Sequence, residues 1–253
     1  MRYVAIGDSF TEGVGDERPD GTPRGWADLV AEGMAAALGE TVRYANLAVR
    51  GRLLEPIATT QLDKALALSP APTMLTFNGG GNDMMRPGID VERLVGLTER
   101  VILRCLAADV RLVLLSGADP SQRLPFGRMI HRRGEVLTAR IAELAARHDI
   151  LLVDAFNDVE SRRAEYWSPD RLHLNAAGHR RVASLVLKAL GHTAEAHAVA
   201  PGPVARRSLR VETRYYREHV LPWVNRRIRG ISSGDDATGK HPDWVPVEAR
   251  PLV

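Results

Sequence analysis

The amino-acid sequence predicts an α/β fold in which helices cover both faces of a parallel β-sheet. Short apolar runs, typical of buried strands, alternate along the chain with longer amphipathic runs, typical of helices. This alternation is expected of a parallel sheet, because each crossover between neighbouring strands needs a helix. At 253 residues the chain can bury one large core, or one domain with an appendage.

Local signals bound the predicted elements. The first strand is the apolar run before Gly7, and the third ends at the glycine run that begins at Gly79. The first long helix ends at Gly39, and the second stops before Pro70, whose ring does not fit a helix interior. The predicted strands cover residues 3–6, 42–47, 73–77, 111–115 and 150–153, and the predicted helices cover residues 26–38, 53–68, 91–108, 131–148 and 175–190.

The composition changes after the last of these helices. Prolines and glycines among small residues predict a linker, a further amphipathic pattern over 209–228 predicts a helix with a kink at Pro222, and a polar stretch over 232–240 predicts a mobile loop. Trp244 and Val247 are apolar enough to dock on the body. The predicted organisation is a main domain over residues 1–190, a linker over residues 191–203 and, over residues 204–253, a C-terminal extension whose basic helix and mobile tail pack on the domain.

Composition excludes several classes of protein. The chain is 45% hydrophobic and 26% charged, and no apolar run approaches the roughly 18 to 20 residues of a membrane span. Arg2 leads directly into the first strand and leaves no room for a signal peptide, so we expect a cytoplasmic protein. Cys105 is the only cysteine, which excludes an intrachain disulfide, and its apolar helical surroundings predict a buried residue. No Cys/His cluster has zinc spacing, so no metal is expected.

The net charge of +3 is concentrated in the C-terminal extension. Residues 201–253 hold ten Lys/Arg and six Asp/Glu, which leaves 24 and 25 for residues 1–200. Arginines of this extension could bind anionic lipid or nucleic acid. Because Glu212 and Glu218 interrupt the charge, the sequence favours a helix with a solvated basic face, and no nucleic-acid partner is expected.

Ser9 is the candidate nucleophile. It directly follows the first predicted strand and therefore lies at the carboxyl edge of the sheet, where ligands bind in open α/β folds. A serine there can also cap the helical turn that follows. Nucleophilic catalysis further requires a base, an orienting acid and donors for an oxyanion.

His173 and Asp170 are the candidate base and orienting acid. A spacing of three residues makes them neighbours within one turn, so the carboxylate can accept a hydrogen bond from the imidazole and fix its tautomer. An exposed loop histidine and a helix-capping aspartate are the structural alternatives. Asp154, after the fifth strand, is a rival acid. The remaining histidines, among them His179, fit the pattern of exposed loop residues.

Four blocks of sequence, in this order, resemble the SGNH hydrolases, also called the GDSL esterase/lipase family. They are Gly7-Asp8-Ser9-Phe10, Asn46-Leu47-Ala48-Val49-Arg50-Gly51, Gly79-Gly80-Gly81-Asn82-Asp83 and Asp170-Arg171-Leu172-His173. The one departure is Phe10, where the family name has leucine. The resemblance covers about residues 1–190. It implies a flavodoxin-like three-layer sandwich with a five-stranded parallel sheet, to which the helical C-terminal extension is added.

The resemblance also implies residue roles. Ser9, His173 and Asp170 would form the catalytic triad, and the backbone amides of Ser9 and Gly51 with the Asn82 side chain would form the oxyanion hole. An ordinary turn glycine and a turn asparagine are the alternatives for Gly51 and Asn82. The chain has no GxSxG elbow, which excludes an ordinary α/β-hydrolase, and no Lys-Ser/Thr follows Gly81, which excludes a phosphate-binding loop.

These observations predict a serine esterase that hydrolyses carboxylic esters with small acyl or acetyl groups through an acyl-enzyme, without a cofactor. Its expected partner is a small-molecule ester. The alternatives are an acyltransferase, or a non-catalytic binding protein on a hydrolase fold that acts through its basic tail, including contact with a membrane surface.

Overall fold

The computed structural model describes residues 1–192, 209–222, 234 and 237–249. The strands are β1 (Arg2–Ile6), β2 (Val42–Asn46), β3 (Met74–Phe77), β4 (Arg111–Leu115), β5 (Leu151–Val153) and β6 (His241–Val247). The α-helices are α1 (Ser9–Glu12), α2 (Gly25–Leu38), α3 (Leu54–Pro56), α4 (Leu62–Leu66), α5 (Gly81–Met84), α6 (Val91–Ala107), α7 (Gly127–Arg147), α8 (Ala176–Ala189) and α9 (Leu209–Tyr215).

One six-stranded sheet, with strand order β5-β4-β3-β1-β2-β6, forms the centre of the fold. Strands β1 to β5 are parallel, which confirms the predicted five-stranded parallel sheet. The C-terminal extension adds β6 antiparallel to β2, with Tyr44 opposite Val245. The extension is therefore not purely helical. β6 contains Pro242 and Pro246, which an edge strand accommodates because one side needs no ladder hydrogen bonds.

Both faces of the sheet are covered. Residues of β1 alternate between the two cores: Tyr3 packs with residues of α2 and α8, and Val4 packs with residues of α6 and α7. Cys105 of α6 is buried as predicted, and burial raises the pKa of its thiol to about 12. No helix within the described ranges is long and apolar enough to cross a membrane.

Two predicted helices differ in detail. The helix expected over 53–68 is α3, a π-helical segment (Ile57–Gln61) and α4. The π turn directs Gln61 toward β1, where its side-chain amide accepts from the Gly7 N–H at 2.8 Å and donates to the Gly7 carbonyl at 2.9 Å. Within the helix expected over 209–228, α9 is followed by a π-helical segment (Tyr216–Val220), and residues 223–228, beyond the expected kink at Pro222, lie outside the described residues. The mobile loop expected over 232–240 also lies outside them, except for residues 234 and 237–240. The linker expected over 191–203 lies outside the described residues, except for its first two positions.

Candidate active site

Ser9 lies on a sharp turn at the carboxyl end of β1. The strand ends at Ile6, and the Asp8 side chain caps α1 by accepting a hydrogen bond from the Phe10 N–H at 3.1 Å. Gly7 makes this turn possible, since a Cβ there would lie 2.4 Å from Thr11 Oγ1. Ser9 is the first residue of α1 and faces the cleft described below, as the sequence predicts.

His173 and Asp170 form a hydrogen-bonded pair before α8. The Nδ1 atom of His173 lies 2.6 Å from Asp170 Oδ2, while Asp170 Oδ1 accepts from the backbone N–H groups of Leu172 and His173 at 3.0 Å each. Burial alone would raise the pKa of Asp170, but these bonds outweigh it and hold the pKa below its usual value. A charged Asp170 therefore fixes the His173 ring with Nε2 free to act as a base.

Gly51 and Asn82 lie on adjacent turns. Gly51 adopts a left-handed backbone with φ of 75°, which favours glycine. Asn82 donates from Nδ2 to Asp8 Oδ2 at 3.1 Å and to the Arg52 carbonyl at 3.1 Å. Within the part of the chain that the structure describes, the backbone amides of Ser9 and Gly51 donate no hydrogen bond.

A buried carboxylate ties the Ser9 helix to the Gly51 turn. Glu12, on α1, accepts from the Arg50 backbone N–H at 2.7 Å and from the Arg50 guanidinium at 2.6 and 3.0 Å. Asp83 ties α5 to the same segment by accepting from the Leu54 N–H at 2.9 Å. Sequence reasoning missed Glu12; its one signal is its place one helical turn after Ser9.

Asp8 carries the most perturbed carboxyl group of the site. It is buried, and desolvation raises its pKa from the usual value of 3.8 to about 6, against the hydrogen bonds from Phe10 and Asn82 and the attraction of His173. Perturbed titration of this kind is typical of functional sites.

The five predicted site residues line one cleft of about 930 Å³. They come from four separate segments of the sequence. Within the described residues no hydrogen bond joins the Ser9 hydroxyl to His173, and catalytic hydrogen bonds of free enzymes often form only with substrate. The apolar part of the cleft lining includes Leu114 of β4 and Leu137 and Ile141 of α7.

Asp154 and His179 form no hydrogen bond with the Asp170–His173 pair in the described residues. Asp154 accepts hydrogen bonds from Ser116 and Asn157, and not from His173. The prediction that His179 is exposed is wrong. It is fully buried on α8, where Nδ1 accepts from the Trp26 N–H at 3.2 Å and Nε2 lies 3.2 Å from the Val14 carbonyl, and burial lowers its pKa. Among the described residues no group of three His, Cys, Asp or Glu side chains could hold a metal ion.

The chain matches the model of a known protein family. The model of the GDSL-like lipase/acylhydrolase family matches residues 5–181. No curated protein sequence matches the chain.

Solved structures of similar fold include the following three. LAE5, an α/β hydrolase from the metagenome of Lake Arreo, Spain, is 22% identical, with a TM-score of 0.62 over 75% of this chain and 94% of its own. TesA is 22% identical, with a TM-score of 0.62 over 75% of this chain and 98% of its own. Axe2, an acetylxylan esterase from Geobacillus stearothermophilus, is 20% identical, with a TM-score of 0.59 over 76% of this chain and 95% of its own.

Proposed function

The chain belongs to the GDSL-like lipase/acylhydrolase family and is an ester-hydrolysing serine hydrolase, and on that premise we propose that Ser9, His173 and Asp170 hydrolyse carboxylic esters through an acyl-enzyme. The observation that carries the proposal is the cleft itself. It gathers Ser9, the Asp170–His173 pair, Gly51 and Asn82, and these groups supply a nucleophile, an oriented base and oxyanion donors.

In the proposed reaction, Ser9 Oγ attacks the ester carbonyl carbon while His173 Nε2 takes the hydroxyl proton. The carbonyl oxygen, now negative, accepts hydrogen bonds from the backbone amides of Ser9 and Gly51 and from Asn82, which shares one of its occupied N–H groups. The bond to the alkoxy oxygen then breaks, and the alcohol leaves with the proton from His173. Water attacks the acyl-enzyme by the same proton transfers, which releases the carboxylic acid and restores Ser9.

The apolar lining of the cleft supports an acyl chain longer than the small acyl or acetyl groups that the sequence favours. Leu114, Leu137 and Ile141 offer no hydrogen-bond partner to a sugar hydroxyl, but they can bury methylene groups. Leu137 also lies next to the loop before Asn82, since a Cβ on Gly80 would be 2.9 Å from Leu137 Cδ2. We therefore place the acyl chain against Leu137 and its apolar neighbours.

Ser9→Ala tests the nucleophile. We expect kcat on nitrophenyl esters to fall on the order of 10⁴ to 10⁶, since the whole triad depends on this oxygen. Ser184→Ala is the control, because the Ser184 hydroxyl bonds the Arg181 carbonyl of its own helix, away from the cleft. A folded Ser9→Ala protein that keeps more than a few per cent of the wild-type rate would contradict the proposal.

The same esters, with acyl chains of increasing length, test the acyl site. Each buried methylene contributes about 0.8 kcal/mol, so kcat/KM should rise about fourfold per methylene until the cleft is filled. Activity that is highest with acetate would restore the small acyl group as the substrate.

A further inference from the structure

The helix α9 lies beyond the end of the family match at residue 181, yet it contacts the loop that carries His173. The contact runs through Arg171, which stands between Asp170 and Leu172. Arg171 has a φ of 61°, a left-handed backbone that non-glycine residues adopt only where their surroundings hold it. With this backbone, the Arg171 side chain contacts Glu212 and Tyr215 of α9.

Arg171 binds α9 by two kinds of contact. Its Nη1 and Nη2 atoms donate to the two carboxylate oxygens of Glu212 at 2.9 and 2.7 Å, and its guanidinium stacks over the Tyr215 ring at 3.9 Å from the centroid. The Arg171 side chain is only 7% exposed. A bidentate and stacked guanidinium with this burial is a specific fit that lysine cannot reproduce.

The same segment of chain forms part of the cleft. Tyr215 at the end of α9 and Glu218 and Val220 in the following π-helical segment line the cleft together with Ser9 and His173. The Glu218 carboxylate is paired with Arg214 and Arg217 of its own segment, so Tyr215 and Val220 supply the apolar surface. Tyr215 is 5% exposed; one face of its ring meets Arg171, and its ring lies at 77° to that of Tyr216, with ring centroids 5.5 Å apart. One short segment therefore both binds the catalytic loop and covers the cleft.

Chemistry assigns this wall to one part of the substrate. In acyl transfer the histidine gives its proton to the leaving group, so the alcohol lies on the histidine side of the nucleophile. Tyr215 packs on Arg171 of the loop that carries His173, whereas Leu137 borders the loop before Asn82. The two walls thus face different parts of the ester.

We propose that residues 209–220 form the alcohol-side wall of the cleft, and that Arg171 is the positioning residue that holds this wall on the catalytic loop. Tyr215 and Val220 are its specificity-determining residues, and the class of alcohol that they fit is apolar and bulky, such as an aryl or long alkyl alcohol. This inference rests on the proposed acyl-enzyme function.

The test compares butyrate esters of methanol, benzyl alcohol and naphthylmethanol. With Arg171→Lys we expect kcat/KM to fall about tenfold or more for the two aryl esters, and no more than about threefold for methyl butyrate. The deacylation rate, measured after a burst, should stay unchanged, because the alcohol has left before that step. Arg93→Lys, in the exposed Arg93–Glu55 pair, is the matched control and should change neither quantity.

Val220→Trp is a second variant that leaves the Arg171 contacts intact. The larger side chain should narrow the cleft beside this wall and exclude the naphthyl ester, while methyl butyrate is still hydrolysed. The inference is overturned if both variants keep the wild-type order of alcohols. It is also overturned if Arg171→Lys slows acylation and deacylation equally for every ester, since Arg171 would then support His173 alone. Failure of the proposed function would appear separately, as activity that survives Ser9→Ala.

Discussion

At the scale of single residues, Asp8 is a carboxyl group whose burial opposes its negative charge. Its two oxygens accept from the Phe10 N–H and from Asn82 Nδ2, both at 3.1 Å, and Asp8 itself is only 4% exposed. The carboxylate orients Asn82, the proposed oxyanion donor, yet burial makes its charged form costly. The buried Asp8 carboxylate therefore lowers the stability of the folded protein while it holds the Asn82 amide in place, as is common at active sites.

This conflict predicts a pH dependence. The pKa of Asp8 is about 6 in the folded protein and 3.8 when exposed, so the folded state binds the proton more tightly. The stability contributed by this proton is fully present below about pH 4 and is lost as the pH rises through about 6, a change of roughly 3 kcal/mol. Asp8→Asn carries no such proton, so its free energy of unfolding relative to the wild type should rise by that amount between pH 4 and 8.

Urea unfolding of both proteins at several pH values measures the difference. Asp20→Asn is the control with the opposite sign, because hydrogen bonds from Thr22 lower the pKa of this exposed carboxyl. The stability that Asp20 contributes is present above its ordinary pKa and lost as the pH falls. A difference for Asp8→Asn that stays flat with pH would show that the Asp8 carboxyl is not destabilised by burial.

The same residues show what a sequence can and cannot predict. Ser9, Asp170 and His173 were predicted because each lies beside its strand end or within one turn of its partner, where spacing fixes geometry. Glu12 and Arg50 are 38 positions apart in the sequence, and only the three-dimensional structure shows that they are in contact. No local pattern pairs such residues, and the same holds for Arg171 and Glu212.

At the scale of elements, the sequence of β6 does not predict a strand, because what makes this segment a strand is its pairing with β2. Its two prolines and weak alternation argue against a strand, and it forms because β2 offers an open edge. Lys240, directly before β6, anchors it. The Lys240 ammonium donates to the Glu12 carbonyl at 2.7 Å and to the Pro23 carbonyl at 3.1 Å, and it also bonds the Arg24 carbonyl and the Asp28 carboxylate.

Lys240→Met should therefore destabilise the fold. Burial lowers the pKa of Lys240 and raises that of Asp28, and each charge compensates the other. Removing one partner of a buried pair costs about 3–5 kcal/mol, which in a chain of this length lowers Tm by about 10 °C.

Calorimetry of Lys240→Met checks this, with Lys188→Met on the last turn of α8 as the exposed control. Adding Asp28→Asn to Lys240→Met should restore part of the loss, because the uncompensated carboxylate is then gone. An unchanged Tm for Lys240→Met would mean that the pair contributes nothing net.

At the scale of the whole molecule, the C-terminal extension touches both sides of the candidate site. Gly234 packs on the turn before Gly51, where a Cβ would meet the Arg50 carbonyl at 2.0 Å, and its own carbonyl accepts from Arg52 at 3.1 Å. On the other side, α9 binds Arg171. The sequence predicts an amphipathic, basic helix that packs on the domain, but not that it packs on the loop that carries His173.

Truncation after Gly202 tests the extension as a unit. The loss of β6 exposes the edge of β2, the loss of Lys240 leaves Asp28 without its nearest cation, and the loss of α9 leaves Arg171 unpaired. Each of these changes uncovers a buried polar or apolar group, so Tm should fall and the preference for bulky alcohols should disappear.

The competing view, a basic tail that binds DNA or anionic vesicles, predicts an unaltered Tm together with the loss of a salt-sensitive binding signal. Melting curves and binding measured on the full and truncated chains separate the two, because a lower Tm without any change in binding is compatible only with an extension that is part of the folded domain.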